Sequence, residues 1–317
     1  MRELEAEHGA VKYIVLPTIS GLEHKVFVGP FARKFPQAQV YIAPQQWSFP
    51  VNLPLSWLGF PPKRTHILSS PYEKHPFGEE FDYAILGPIK LSLGSFGEIA
   101  LFHKPSRTAL VTDSVISIPK TPPESVELDP FPLLFHARDN GLEEVEDTPE
   151  MREKGWQRIC LFATYFQPNA LEVLEWGEAL QEAKQAPDRS KKNYFGFYPF
   201  RWQSNWKESF DQLQGDGRLL VAPILQTLIL NRAPRETIKW ANLLVSWYFE
   251  RLIPCHFQAP LQVSPREFRQ AFSFLEKEEL PLNQPSYPLP EEDLAPLENL
   301  EVTLRKGRLL PPPQEKI

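Results

Sequence analysis

Two cysteines in 317 residues, Cys160 and Cys255, are too few for a disulfide framework; they read as reduced thiols of a reducing compartment. A basic surplus is also missing. Lys and Arg number 34 against 40 Asp and Glu, giving a net charge of −6, so the surface of a general nucleic-acid binder is absent. No run approaches the roughly eighteen apolar residues of a membrane span, and MRELEAEHGA resembles no signal or transit peptide. The chain has no Gly-x-Ser-x-Gly elbow, His-Glu-x-x-His helix, phosphate loop or dinucleotide glycine pattern. No nucleotide cofactor is therefore expected, and no internal repeat is found. What remains is a soluble protein of ordinary hydrophobic content (42%), long enough for one large α/β domain or two smaller ones.

Proline is abundant: 34 residues, about twice the usual share, which predicts many stiff loops. The stretch Val11–Pro44 reads as strand (Val11–Leu16), loop (Thr18–His24), helix (about His24–Phe35) and strand (Gln39–Ala43). That loop lies at the carboxyl end of a strand, where open α/β sheets put their chemistry, and His24 closes it. The aromatics of Pro44–Pro62 (Trp47, Phe49, Trp57, Phe60) either clamp a surface loop onto the core or wall a pocket. Phe81–Ile85 and Lys90–Leu93 read as short strands, and Glu98–His103 with Thr108–Thr112 as a hairpin ending at Asp113.

From Pro119 to Lys192 the chain turns proline-rich and acidic and reads as an insertion, with Asn169–Lys184 as an amphipathic helix capped by Asn169. The basic cluster Arg189–Lys192 reads as a solvated linker and Asn193–Trp206 as a buried aromatic layer. Helices are expected near Trp206–Gln212, Ala222–Leu230 and Glu236–Arg251, a strand-like exit at Leu252–His256, and a helix at Pro265–Lys277. The last forty residues, polar and rich in proline, read as a tail that is wrapped on the surface or partly disordered. The expected organisation is 1–118 and 193–278 as two parts of one domain, 119–192 as its insertion and 279–317 as the tail.

His24, Asp113 and His256 stand at strand ends or just beyond, in distant thirds of the sequence. Three N/O ligands with an open fourth position suit a catalytic zinc, at about 2 Å from each donor. Each also has a plain structural reading: a helix cap, a turn acid, a hydrogen-bonded imidazole. Cys255 is either a thiolate ligand or a small buried thiol.

The order and surroundings of these residues resemble the metallo-β-lactamase superfamily. Its first signature, H-x-H-x-D-H opening a helix, falls on Ile19-Ser20-Gly21-Leu22-Glu23-His24; its glycine-histidine turn falls at Gly94. Its strand ending in Gly-Asp matches GEIALFHKPSRTALVTD, closing at Asp113, and its Pro-Gly-His-Gly falls on Pro254-Cys255-His256-Phe257. More narrowly, LEHKVFVGPFARKFPQAQVY, LFHKPSRTALVTD and WQRICLFATYFQPNALEV resemble the plant, algal and cyanobacterial family known as domain of unknown function 4336, over roughly residues 1–275. That likeness carries over no activity; it implies a cyanobacterial cytoplasm or a plastid.

The superfamily resemblance implies an αββα sandwich, with strands that usually precede this point missing, as in a truncated reading frame. First-metal positions hold Ile19, Gly21 and Gly94, which offer no ligand, while second-metal positions keep Glu23, His24, Asp113 and His256. The implied function is a single-metal hydrolase holding one Zn or Fe ion. In it Glu23 is fourth ligand or base, and a small molecule of unknown identity is the substrate. The alternative is a pseudoenzyme that lost its metals and serves as a binding or scaffold protein. Neither nucleic acid nor a membrane span is expected, and the oligomeric state is open.

Overall fold

The computed structural model describes residues 2–48, 51–70, 75–277 and 289–317. It is a mixed α/β structure with several sheets, divided into two compact units. The first comprises Met1–Val115, Ile229–Glu279 and Arg305–Ile317; the second comprises Ile116–Leu228 and Leu280–Leu304. Among the described residues no helix is long and apolar enough to cross a membrane.

The first unit opens with helix α1 (Arg2–His8), ended by Gly9 at φ +86°, whose N–H donates to Glu5 O at 2.9 Å. Strand β1 (Tyr13–Leu16), helix α2 (Leu22–Lys34), strand β2 (Gln39–Ile42) and a short strand β3 (Thr65–Ile67) follow. The three strands form a parallel sheet in the order β1-β2-β3. The two-residue period of the strands divides their side chains between two faces. Ile14, Leu16, Val40 and Ile42 pack with Val28 and Ala32 of α2 and with Phe35 just beyond it, and Phe60 joins them. Tyr13, Val15 and Tyr41 pack on the opposite face with Phe77, Tyr83 and Ile99. Phe60 thus clamps its loop to the core, whereas Trp57 is exposed and Phe49 lies outside the described residues.

Strands β4 (Phe81–Lys90), β5 (Ser95–His103) and β6 (Thr108–Val111) run antiparallel in a second sheet. The sequence splits β4 in two at Gly87-Pro88. The structure carries one strand through that point, the register shifting between Leu86 and Ile89. Phe81, Tyr83, Ile85, Ile99 and Leu101 face the first sheet's aromatic side.

The second unit holds α3 (Glu124–Glu127), α4 (Phe131–Ala137), α5 (Pro149–Tyr165), β7 (Leu171–Val173), α6 (Trp176–Gln185), β8 (Phe200–Trp202), α7 (Trp206–Gln214) and α8 (Pro223–Leu228). It runs on past Lys192. Thr148 caps α5 by accepting from Met151 N–H at 3.3 Å, with Pro149 in the first turn. Helices α4 and α5 touch at Gly155, where a Cβ would fall 1.8 Å from Leu133 O. Arg158 is buried between the rings of Trp202 (4.9 Å) and Trp206 (4.7 Å) and donates to the carbonyls of Ala137 and Arg138 at 2.9 Å. The single helix expected over Asn169–Lys184 is instead strand β7, paired antiparallel with β8, followed by α6. Leu171 and Val173 sit on a strand because Phe200–Trp202 supplies an edge to pair with, a tertiary partner that local pattern cannot reveal.

The chain returns to the first unit with α9 (Pro234–Val245), β9 (Arg251–Pro254) and α10 (Pro265–Gln270). Strand β9 joins β6 in parallel, completing the order β4-β5-β6-β9. Helix α9 lies on the sheet's outer face, where Trp240 Nε1 donates to Ala84 O at 3.4 Å. Trp247 of the following turn stacks on Phe102. Ser264 and Glu267 form a reciprocal cap on α10. The expected surface tail contains α11 (Glu291–Lys306), anchored in the second unit by Asp293, which accepts from Asn169 N–H (3.2 Å) and Ser209 Oγ (3.0 Å).

Candidate metal centre

Three elements end at one place in the first unit. His24 lies in the first turn of α2, which begins at Leu22, so the helix starts two residues before the sequence reading and His24 is inside it. Gly21 precedes it because space is short: a Cβ there would sit 2.5 Å from His24 Cδ2 and 2.7 Å from Glu23 Oε1. Asp113 lies two residues beyond β6 and His256 two residues beyond β9. Those strands are parallel neighbours in register, Val111 opposite Pro254, so both side chains emerge at the same end. Cys255 N–H extends the pairing to Thr112 O at 3.4 Å. The β1–α2 loop is tied to the same sheet by Ile19 N–H to Gly97 O (2.9 Å) and Ile99 N–H to Pro17 O (2.7 Å).

His256 Nε2 stands 2.9 Å from Asp113 Oδ1, and His24 Nε2 stands 4.0 Å from the same oxygen. The imidazole centroids are 5.5 Å apart, and one donor atom from each residue lies within 4.8 Å of the others. Two donors on a tetrahedral zinc are about 3.3 Å apart, given bonds of about 2 Å. Small rotations of these side chains span the difference. The His24 and Asp113 side chains are about one-fifth exposed, and His24 Nε2 is buried without a hydrogen-bond partner. A buried imidazole nitrogen facing a carboxylate, with nothing bonded to it, fits a cation site. The hydrogen bond that His256 donates to Asp113, together with the charge of that carboxylate, raises the pKa of His256 against the opposing effect of burial. Glu23 sits at the rim: its carboxylate is mostly exposed, with Oε1 3.5 Å from His24 Nε2, outside the three-residue cluster.

Beneath the ligands lies a residue whose role the sequence pattern does not announce. Glu98 is fully buried on β5, and its carboxylate accepts from the N–H groups of Thr112 (3.3 Å), Asp113 (2.8 Å) and Ser114 (2.9 Å) and from Ser114 Oγ (2.8 Å). Burial and the Asp113 charge push its pKa up to about 7, while the hydrogen bonds resist. Glu98 also stands opposite Thr18 in an isolated bridge whose hydrogen bonds come from its neighbours Gly97 and Ile99, so one short stretch of β5 braces both the loop before His24 and the turn carrying Asp113. The available signal is parity: Glu98 shares a strand face with Ala100 and Phe102, where an acid is out of place.

Lys25 is a second hidden brace. Its ammonium donates to the carbonyls of Ile19 and Trp47 and to Ser48 Oγ, and burial lowers its pKa to about 8, opposed by Glu23. Trp47 seats over Gly94, where a Cβ would meet the indole at 2.3 Å, and Ile19 is fully buried. Cys255 is exposed rather than buried and lies outside the ligand cluster. His103 is bonded to Ser106 Oγ at 2.6 Å.

A family model described as Domain of unknown function (DUF4336) matches residues 1–274. No curated protein matches the chain, and no solved structure matches it. The matched span contains every residue of the centre, from Glu23 and His24 through Glu98 and Asp113 to His256, and the chain belongs to the domain of unknown function family DUF4336.

Proposed function

We propose that the first unit is a metallo-β-lactamase-like αββα sandwich whose remaining site holds one zinc or iron ion and acts as a hydrolase. The layering supports it: α2 covers one face of the parallel sheet, whose other face meets the second sheet, and α9 lies beyond. The observation that carries the reading is the convergence of His24, Asp113 and His256 around an unbonded, buried His24 Nε2. The two imidazoles and the Asp113 carboxylate would hold the ion. When bound, it supplies Lewis-acid polarisation and lowers the pKa of water to about 7. Glu23, solvent-facing beside His24, would serve as the base that takes up a proton at its carboxylate and returns it to a leaving group. Glu98 keeps the Asp113 turn fixed. A second ion finds no side-chain donor at Ile19, Gly21 or Gly94, and Trp47 fills the space at Gly94.

One observation favours the second reading, a metal-free binding or scaffold protein: His256 and Asp113 already satisfy each other at 2.9 Å. Elemental analysis of the purified chain and of Asp113→Ala decides between them. About one zinc or iron per chain, lost in the variant, is the expected result; absence of metal from both leaves the scaffold reading. Metal-dependent turnover of bis(p-nitrophenyl) phosphate or p-nitrophenyl acetate, abolished by chelation, then tests hydrolysis itself.

A further inference from the structure

The first unit carries a second concavity, to which none of His24, Asp113 and His256 contributes. Its volume is about 680 Å³, in the range of small-molecule sites. All three pieces of chain that make up the unit supply walls. Strand β4 gives one. It is the edge strand of its sheet, so residues of both its faces reach the space alongside, and the register shift between Leu86 and Ile89 adds Gly87 and Pro88 to the wall. Helix α9 gives the second, where Glu236, Trp240 and Leu243 recur at helical spacing with Lys239 beside them. The C-terminal segment gives the third: Pro311 and Pro312 line it, and Arg232 Nε donates to Pro311 O at 3.2 Å, tying the segment to the start of α9.

Two kinds of surface meet in this space. The floor is apolar: Ile89 and Trp240 line it and are each only 4% exposed. Trp240 is held there by the bond from Nε1 to Ala84 O and by the rings of Phe268 and Phe272, both with centroids 6.1 Å away. Leu243, 43% exposed, continues the apolar surface outward. The rim is cationic. Lys90 and Lys239 are exposed, and neither enters an ion pair among the described residues. With the buried Arg232 they make three cations against one acid, Glu236, in a chain where acids outnumber bases. Glu236 lies in the first turn of α9, where the helix N-terminus offsets its charge.

We propose that this cavity binds a small amphipathic organic anion. Its apolar body lies against Ile89, Trp240 and Leu243, and its carboxylate or phosphate head is taken by the ammonium groups of Lys90 and Lys239. An apolar floor with a few charged groups at its edge is the usual composition of a small-molecule site, the floor giving affinity and the charges fixing orientation. Walls on three sides suit a compact molecule rather than an extended chain. Arg232 is a positioning residue: its guanidinium bonds to Pro311 O and Asn231 Oδ1 and so keeps the C-terminal wall against α9.

The test is fluorescence titration of the full chain with anilinonaphthalene sulfonate, beside phenylnaphthylamine, which has the same rings and no charge. Saturable binding of the sulfonate, about tenfold or more tighter than the neutral probe, is expected. The pair Lys90→Glu and Lys239→Glu weakens it about tenfold or more, and Glu236→Lys tightens it about threefold. Leu243→Ser weakens both probes about three- to tenfold. All four positions are exposed, and an unchanged melting temperature certifies the fold. The control is the pair Lys191→Glu and Lys192→Glu in the second unit. It adjoins Tyr194 and Phe195, which are 59% and 65% exposed where the sequence suggests a buried layer, and it should leave binding unaltered. Decanoate and decyl phosphate then compete for the site; displacement by either supports the proposal, and the stronger competitor names the head group. Equal affinity for the two probes, no saturable binding, or displacement by neither competitor overturns it. So does binding indifferent to the cavity variants or lost in the control pair.

Discussion

At the residue scale, Glu98 is the position where a small chemical change has the largest consequence. Its two oxygens receive four donors, three of them consecutive backbone N–H groups around Asp113. Glu98→Gln keeps shape but turns one acceptor into an NH2 group aimed at other donors. Chemical denaturation should register a loss of about 1–3 kcal/mol. Competition with a chromogenic chelator should register metal affinity about 10–100-fold weaker, the usual cost of losing a ligand's support. A wild-type protein without metal refutes the centre itself; unchanged affinity in the variant refutes only the brace. The centre was legible in part for a physical reason. Asp113 and His256 each follow an apolar run that ends abruptly, and strand ends are readable; His24 stands out instead as the residue that closes the loop after β1. Glu98 and Lys25 escaped because they serve backbone groups, N–H for one and C=O for the other, and such partners carry no sequence signature.

Elements are governed by what they pair with, which explains where the sequence misleads. Strand β7 looks helical until Phe200–Trp202 comes alongside, and α11 hides behind the prolines around it until Asp293 meets Asn169 and Ser209. The hairpin β5–β6 needed no outside partner, and it was readable from its turn. Helix α4 carries a testable consequence of packing. Its His136 lies among Phe135, Phe162 and Phe200, and burial, with Arg138 and Arg158 nearby, lowers its pKa from 6.5 to about 4. An unfolded chain protonates this imidazole near pH 6.5, whereas the folded one holds it neutral until about pH 4. The unfolded state therefore binds more protons within that window, so stability is full above it and falls as the pH drops through it. His136→Phe keeps the ring contacts and removes the titration. Urea titrations at pH 7 and 4.5 should show the wild type losing about 1–2 kcal/mol more than the variant, after allowance for solvent access to the ring. Parallel losses in the two proteins sink this account.

At the scale of the whole molecule, the first unit is assembled from three separate pieces of chain, and two devices join them. One is the parallel pairing of β6 with β9, which carries Asp113 and His256 to a common end. The other is the C-terminal segment. Gln314 N–H donates to Asn231 O at 2.9 Å, Ile317 N–H donates to Leu275 O at 3.0 Å, and Lys277 N–H donates to Ile317 O at 2.8 Å. A polar stretch with three consecutive prolines reads as a loose end because no apolar period marks it, yet it works through main-chain bonds that composition does not encode. Removing Pro312–Ile317 deletes all three and leaves His24, Asp113 and His256 in place. At about 1 kcal/mol per bond the loss should be about 2–4 kcal/mol, a fall in melting temperature of about 4–16 °C for a unit of this size. Metal content should stay at the wild-type level, because none of the deleted bonds touches the strand ends. Loss of metal with the segment would mean that the centre depends on the whole closed unit rather than on β6 and β9. An unshifted melting temperature would mean that these bonds merely replace equivalent ones to water.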